Sequence, residues 1–171
     1  MHDLAVTAIG TDRPGIVAAV AGVLHDRGGN LEDSAMTILG GHFAIVLLVA
    51  TEDEPDALRR ALEAATADLG LTVSVTRADA NRVDSEPTHL LSVYGADKPG
   101  IVAGVTAAIA EVGANVSDLA TQVVGADTEP VYAMVIELET DDEQRLAAAV
   151  SATCAALGVD HSLRTIDTET Y

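Results

Sequence analysis

Two short segments of the chain combine residue types that could bind a small charged molecule. The first is Thr11-Asp12-Arg13-Pro14-Gly15-Ile16-Val17, and the second, 85 positions later, is Ala96-Asp97-Lys98-Pro99-Gly100-Ile101-Val102. Each segment follows an apolar run and precedes an alanine- and valine-rich stretch with helical spacing. Each is therefore predicted to join a strand to a helix, with the proline at the first helical position and the aspartate capping the first turn.

The start of a helix suits an anion, because its first N–H groups are unpaired and carry a partial positive charge. We expect the amides of Gly15, Ile16 and Val17 to face such a ligand, with Gly15 leaving room for its approach. Asn30 is predicted to lie across the same end of the module, where its amide could donate and accept hydrogen bonds. Together these groups could hold the carboxylate and the ammonium of an amino acid. The equivalent residues of the second half are Asp97, Gly100, Ile101, Val102 and Asn115.

The elements around these segments follow from the spacing of apolar residues. In the first half, strands are predicted over 4–9, 31–39, 43–49 and 71–75, and two helices are predicted after Asp12 and after Glu54. The order βαββαβ is typical of a ferredoxin-like α+β sandwich, in which a four-stranded antiparallel sheet carries two helices on one face. An ordinary strand-to-helix turn in this fold would have the same composition as the two segments, so the residues alone leave a purely structural interpretation open.

The second half of the chain repeats the first. Matched residues continue through Gly113, Asn115, Asp118 and Gly125, after which four extra residues stand around Asp127-Thr128-Glu129-Pro130. We therefore predict two domains, at 1–78 and 88–171, joined by a polar linker at 79–87. Phe43 to Val49 is apolar at every position, which predicts that both faces of this strand are covered, the second by the other domain or by another copy of the chain.

The composition limits the classes of partner. The chain of 171 residues has a formal net charge of −18, from 27 acidic and 9 basic residues, and only four aromatic side chains. Such a chain is not expected to bind nucleic acid directly, because phosphate backbones need a basic patch. No apolar run reaches the length of a membrane span, and no signal peptide is evident, so a cytoplasmic protein is expected.

Other reactive residues are given structural interpretations. Cys154 falls in an apolar helical series and is predicted to be buried. The five histidines lack metal-ligand spacing, and Ser34 has no evident catalytic partners, so we expect no metal, no cofactor and no enzymatic activity. The acidic runs at 52–56 and 140–143 are predicted to begin helices.

The pattern Asp-x-Pro-Gly-Ile-Val, followed by a helix and Gly-x-Asn, resembles the ACT domain family, and it covers the chain as two tandem copies. Asn30-Leu31-Glu32-Asp33-Ser34 and Pro130-Val131-Tyr132-Ala133-Met134 are most similar to the glycine cleavage system transcriptional repressor group within that family. The resemblance implies βαββαβ modules that pair and bind amino acids where two modules meet. It places the contacts at Asp12 to Ile16 with Asn30, and at Asp97 to Ile101 with Asn115.

The resemblance implies a non-catalytic regulator that binds a small amino acid, glycine or serine-like, and signals through a protein partner such as a transcription factor. A homodimer or higher homo-oligomer is expected with it. The alternative is an interaction or oligomerisation module that binds no ligand.

Overall fold

The structure is a computed structural model of the chain, and it describes residues 1–78, 86–125 and 130–166. The chain divides into two compact units, Met1–Arg82 and Val83–Tyr171. The predicted linker at 79–87 falls mostly outside the described residues, as do three of the four extra residues near Pro130.

The first unit has the predicted order of elements. Its strands and helices are β1 (His2–Thr11), α1 (Ile16–Asp26), β2 (Asn30–Leu39), β3 (His42–Thr51), α2 (Pro55–Ala65), a single 3₁₀ turn (Ala67–Leu69) and β4 (Thr72–Arg77). The second unit repeats this order as β5 (His89–Ala96), α3 (Ile101–Glu111), β6 (Asn115–Val124), β7 (Val131–Glu139), α4 (Glu143–Leu157) and β8 (Asp160–Thr165). The predicted tandem βαββαβ fold is confirmed.

Each unit forms its own antiparallel sheet, in the orders β2-β3-β1-β4 and β6-β7-β5-β8. The long strand β2 and the short strand β4 are therefore the two edges of the first sheet, and β6 and β8 take the same places in the second. Both long edge strands have a register shift near their start, between Leu31 and Asp33 and between Val116 and Asp118. The duplication thus extends to a local irregularity of the backbone, which is a β-bulge on an edge strand.

The helices cover one face of each sheet. In the first unit, the core consists of apolar residues from α1, α2 and alternate positions of the strands, among them Leu4, Val6, Ile16, Phe43, Leu58 and Leu62. The second core has the same construction, with Leu91, Ile101, Met134, Ile136, Leu146 and Cys154. Cys154 is completely buried, as predicted.

The acidic runs begin helices, as predicted. Glu54 precedes α2, whose first residue is Pro55, where the missing N–H has no partner to lose. Asp142 caps α4 through its carboxylate, which accepts a hydrogen bond of 3.0 Å from the amide of Arg145.

Strand β3 alternates in exposure although its sequence is apolar throughout. Phe43, Ile45, Leu47 and Val49 point into the core, whereas Val46 on the other face is 49% exposed. Both helices of this unit lie on the core side, so no helix within residues 1–78 covers the second face. That the second face is covered by another domain or copy stays a prediction.

Candidate functional site

The two repeated segments fold as tight turns rather than as the first residues of the helices. Helix α1 begins at Ile16, so Pro14 lies two residues before it, and the prediction that proline occupies the first helical position was wrong. Gly15 has φ 93° and ψ −7°, and Gly100 has φ 97° and ψ −8°. These are the angles of the third residue of a type II turn, a position that needs glycine and favours proline just before it. The conformation of the turn, rather than the helix, therefore explains the Pro-Gly pair.

The first turns of α1 and α3 have no side-chain cap within the described residues. The prediction that Asp12 and Asp97 cap them was therefore wrong, because the type II turn places Gly15 and Gly100 at the capping position. The first backbone bonds of the two helices run from Ala19 to the carbonyl of Gly15, at 2.9 Å, and from Gly104 to the carbonyl of Gly100, at 2.8 Å. Since an α-helix cannot pair its own first amides, those of Ile16, Val17, Ile101 and Val102 are left pointing outwards.

The approach to each helix start is open. A β-carbon built on Gly15 or Gly100 meets no atom within 4 Å. The turns also carry two of the nine basic residues of the chain, Arg13 and Lys98, at equivalent positions. The backbone amide of Asp12 is bound to the carbonyl of Gly41 at 2.9 Å, which ties the first turn to the β2–β3 hairpin. Each cation has a carboxylate next to it in the chain, Asp12 or Asp97, so the side chains of each turn are neutral together, and the unpaired helix amides add a partial positive charge.

Asn30 does not lie near the first turn, so the prediction that it shares that end of the module was wrong. Asn30 pairs in register with Ala50, which pairs with Asp3, whereas Thr11 pairs with His42 at the other end of the sheet. Asp3 and Thr11 are eight residues apart on β1, which is roughly 27 Å of strand. Helix α1 runs back along the sheet before β2 begins, and this reversal places Asn30 at the opposite end of the sheet from the first turn. In the second unit, Asn115 pairs with Glu139 while Ala96 pairs with Val131, so the same separation holds.

The long edge strands β2 and β6 end in residues that could pair with another strand, whereas the short edge strands β4 and β8 are protected against such pairing. The last six residues of β2, from Ser34 to Leu39, contain no charge and no proline, and neither do the last six of β6, from Leu119 to Val124. In contrast, β4 and β8 are six residues long, polar, and contain arginine. Proteins usually protect an exposed sheet edge with charges, proline or short length. In both units, the long edge strand has its acidic residues and its β-bulge near the start, and only its last six residues lack such protection.

An apolar groove runs beside β2 in the first unit. It has a volume of about 130 Å³ and lies between α1 and the helix-facing side of the strand. Met36 and Ile38 on β2 are 51% and 52% exposed. The groove is lined by Val17, Val20, Ala21, Leu24, Leu31, Ser34, Met36, Ile45 and Leu47. No motif of the sequence marks this surface, although the uncharged end of β2 is a signal that could have indicated it.

Metal and membrane sites are not found in the described part of the chain. Across residues 1–78, 86–125 and 130–166, no three His, Cys, Asp or Glu side chains are arranged to hold a metal ion. In the same ranges, no helix has both the length and the apolar character to span a bilayer.

Comparison with known proteins identifies the family. A family model of the ACT domain matches residues 2–76 and 88–164, so the chain belongs to the ACT domain family and contains two copies of the domain. The sequence is 25% identical over 173 residues to the glycine cleavage system transcriptional repressor of Escherichia coli K12, covering 97% of this chain and 91% of that protein. The predicted relationship to that group is confirmed.

Two further similar proteins are a relative that consists of one domain and a solved structure that contains both. A UPF0237 protein of Methanopyrus kandleri is 41% identical over 80 residues, which is 45% of this chain and 89% of that protein. The crystal structure of an unknown protein from Galdieria sulphuraria has a TM-score of 0.84 and 30% sequence identity, covering 96% of this chain and 98% of that one. The Galdieria sulphuraria protein has the same tandem architecture throughout. The Methanopyrus kandleri protein corresponds to one domain alone.

Proposed function

We propose that the protein is a non-catalytic regulator that binds a small amino acid, of the glycine or serine class, at the turns Asp12–Val17 and Asp97–Val102. The observation that carries the proposal is the repeated, open helix start, in which outward-pointing amides lie beside Arg13 or Lys98 and no side chain within the described residues caps them. A carboxylate fits such a place because it accepts from the amides and is attracted by the cation.

The ammonium end of the ligand needs acceptors: each turn carries one carboxylate, Asp12 or Asp97, and the side-chain oxygen of an asparagine could add a second. Asn30 begins the unprotected edge strand, at the opposite end of the sheet from the turn. Antiparallel pairing of β2 with β2 of a second copy would bring Asn30 of that copy to the Leu39 end of the first, beside the turn. The proposed site is therefore completed by module pairing, and Asn115 would act in the same way through β6.

The regulatory part of the proposal follows from this completion. A ligand held by two modules stabilises the paired arrangement over the unpaired one, and only such a difference in affinity can shift an equilibrium. The readout would be contact with a protein partner. The similarity to the glycine cleavage system transcriptional repressor supports a partner in transcriptional control of amino-acid metabolism.

A thermal-shift screen of the twenty amino acids at millimolar concentration tests the proposal. A ligand that binds only the native state raises its stability by RT ln(1 + [L]/Kd), which is about 1.4 kcal/mol at tenfold excess over Kd. We expect a rise for glycine, serine or a close analogue. The Arg13→Gln, Lys98→Gln double variant should lose most of this rise.

A matched control separates the site from general charge effects. The Arg60→Gln, Arg164→Gln double variant removes the same two charges from exposed positions away from the turns, and it should keep the ligand-induced rise. If no amino acid raised the melting temperature while the chain still dimerised, the alternative function would be favoured, namely an interaction module joined through its long edge strands.

A further inference from the structure

One histidine of the second unit is buried with incomplete hydrogen bonding. His89, the first residue of β5, is only 5% exposed. Its Nδ1 lies 2.8 Å from the hydroxyl oxygen of Thr88. Its Nε2 is buried and has no hydrogen-bond partner within the described residues. A buried polar atom without a partner costs free energy, so this nitrogen needs a physical explanation.

Glu143, the first residue of α4, carries the charged group that faces this nitrogen. Its Oε2 lies 3.7 Å from Nε2 of His89, which is ion-pair distance but longer than a hydrogen bond. The glutamate side chain is 60% exposed, and no lysine or arginine of the described ranges forms an ion pair with it. A small rotation of this side chain is therefore enough to reach the distance of about 2.8 Å that a charge-assisted hydrogen bond needs.

The surroundings of Nδ1 select the tautomer of the neutral ring. The hydroxyl oxygen of Thr88 accepts from the amide of Thr140 at 3.2 Å. For its hydrogen, the carbonyl of Leu138 is a distant acceptor at 3.5 Å, whereas Nδ1 is at 2.8 Å. The hydroxyl therefore donates to Nδ1, which leaves the ring proton on Nε2, on the side of Glu143.

A second proton on the ring also finds an acceptor. With Nδ1 protonated, the ring donates to the hydroxyl oxygen of Thr88, whose own hydrogen turns to the carbonyl of Leu138, and Nε2–H donates to Glu143. Both N–H groups of the imidazolium are then paired, one of them with a carboxylate, as a buried charge requires. Histidine is the side chain whose charge ordinarily changes between about pH 5 and pH 8.

The remaining charged groups on the surrounding elements do not face the ring. Those next to its cross-strand partners, Leu138 and Thr165, point to the other face of the sheet, because side chains alternate along a strand. The carboxylate of Asp142 accepts from the amide of Arg145. The groups on the other sheet face are Glu137, Glu139 and Arg164. Exposed carboxylates at this end of the unit are Glu86, Glu111 and Asp141. Titratable groups farther along β8 and α4 are His161 and Cys154.

The first unit holds the equivalent glutamate with a permanent charge. Thr51 and Thr140 begin the same turn in the two units, since each hydroxyl accepts from the amide two residues later, at 3.1 Å and 3.2 Å. Three residues after them stand Glu54 and Glu143. Glu54 is bound by Arg77 of β4 at 2.7 Å, so an ion pair connects the start of α2 to the sheet.

The second unit has a histidine on the neighbouring strand in place of this arginine. Arg77 pairs in register with Leu4, and the equivalent pair is Thr165 with His89, which stands 85 positions after Leu4. The cation thus moves from the edge strand to a central strand. It also changes from a guanidinium, which stays charged, to an imidazole, which does not. The contact to Glu143 therefore depends on the charge of the ring.

We propose that His89 and Glu143 form a pH-dependent switch at the start of α4. Uptake of a proton by the ring draws the carboxylate onto Nε2–H and fixes the first turn of the helix to β5, and loss of the proton releases it. The first backbone bond of α4, from the amide of Leu146 to the carbonyl of Asp142 at 3.0 Å, then opens less often when the ring is charged. The switch involves neither repeated turn, so it does not rest on the proposed amino-acid function.

NMR of the full chain at about pH 5.5 and pH 8 tests the switch. The ring ¹⁵N shifts of His89 should report the Nε2–H tautomer at the higher pH, and the carboxyl carbon of Glu143 should titrate together with the ring. Exchange of the Leu146 amide, corrected for its intrinsic pH dependence, should be about two- to fivefold slower at the lower pH, the effect of one exposed ion pair. A ring that stayed neutral over this range, or a carboxyl group that ignored its titration, would overturn the proposal.

Three variants separate a switch from an inert core histidine. Glu143→Gln keeps the length of the side chain without its charge, and its Leu146 exchange should no longer depend on the pH beyond the intrinsic rate. Asp141→Asn removes an exposed carboxylate two residues earlier and should behave as the parent. The His89→Leu, Thr165→Arg double variant restores the arrangement of the first unit, so Leu146 should be equally protected at both pH values. Equal effects of Glu143→Gln and Asp141→Asn would assign the response to general charge and reject the switch.

Discussion

Asn30 and Gly15 lie at opposite ends of the same four-stranded sheet, with the length of β1 between them. Both residues recur in the second domain with the same separation, as Asn115 and Gly100. A site that uses both residue types therefore needs two modules, and the unprotected strands β2 and β6 are the edges through which modules can join. In the proposed function, domain pairing and ligand binding are therefore linked.

The first prediction concerns pairing through these edges. We expect the chain to self-associate, and the Met36→Lys, Leu119→Lys double variant to associate at least about tenfold more weakly, because an exposed lysine blocks edge pairing. Sedimentation velocity over a range of concentrations measures this. The Thr76→Lys, Thr165→Lys variant adds the same charge to the short edges and should behave as the parent. A parent that stays monomeric at about 100 μM would contradict edge pairing between copies of the chain.

The second prediction concerns the left-handed glycine of the turn. Gly15→Ala should lower the free energy of unfolding by about 1 to 2 kcal/mol, although space is open there, because φ is 93° and a β-carbon strains that conformation. Gly22 provides the control, since it lies within α1 with equally open space and no positive φ. Gly22→Ala should raise stability by about 0.5 to 1 kcal/mol. Urea unfolding measures both changes. If Gly15→Ala and Gly22→Ala changed the free energy of unfolding in the same direction, the left-handed turn would not be the cause.

The third prediction concerns a close approach that positions β8. A β-carbon on Gly95 would lie 2.6 Å from Cγ1 of Val159, a residue that is itself buried. Gly95→Ala should destabilise the chain by about 1 to 3 kcal/mol through overpacking. In the Gly95→Ala, Val159→Ala double variant, the loss should be smaller than the sum of the two single losses, because the smaller side chain makes room. Additive losses would place the strain elsewhere.

Local sequence patterns were sufficient for the elements and the duplication. The apolar spacing within Leu4–Ile9 predicts a strand, and the spacing within Ile16–Leu24 predicts a helix. These elements can therefore be predicted from short stretches of sequence. The placement of Asn30 was predicted wrongly, because the helix before it runs antiparallel to β1 and carries the chain back to the other end. The apolar groove beside β2 was not predicted, because residues of α1, β2 and β3 line it together only after the strands have paired.

The fourth prediction concerns the capped helix α4. Asp142→Ala should cost about 1 kcal/mol, because the carboxylate accepts the amide of Arg145 at 3.0 Å. Asp141→Ala removes the same charge one residue earlier, outside the cap, and should change stability by less than about half as much. The comparison is made by chemical unfolding at moderate salt, where general charge effects are reduced. Equal losses would show that charge, rather than the cap, was responsible.

The fifth prediction concerns Cys154. Burial raises the pKa of its thiol above the ordinary value, so the native state holds the proton more tightly than the unfolded chain does. Stability is therefore full below the unfolded pKa of about 8.5 and is lost as the pH rises through the native one. Urea unfolding at pH 7 and pH 10 should show this loss in the parent. The loss should be smaller in Cys154→Ala, and a disulfide reagent should label the native thiol far more slowly than the unfolded one.

The uncharged edges and the acidic surface act against each other in solution. A net charge of −18 keeps copies of the chain apart, while six uncharged residues at the end of β2 and six at the end of β6 draw them together. Near the sequence isoelectric point of about 4.3 the net charge and its repulsion disappear, while the uncharged ends of β2 and β6 can still pair. Colloidal behaviour should therefore change sharply with acidity: a population of small, reversible assemblies at neutral pH becomes a turbid, growing phase as the pH approaches that point, and added salt moves the onset to higher pH.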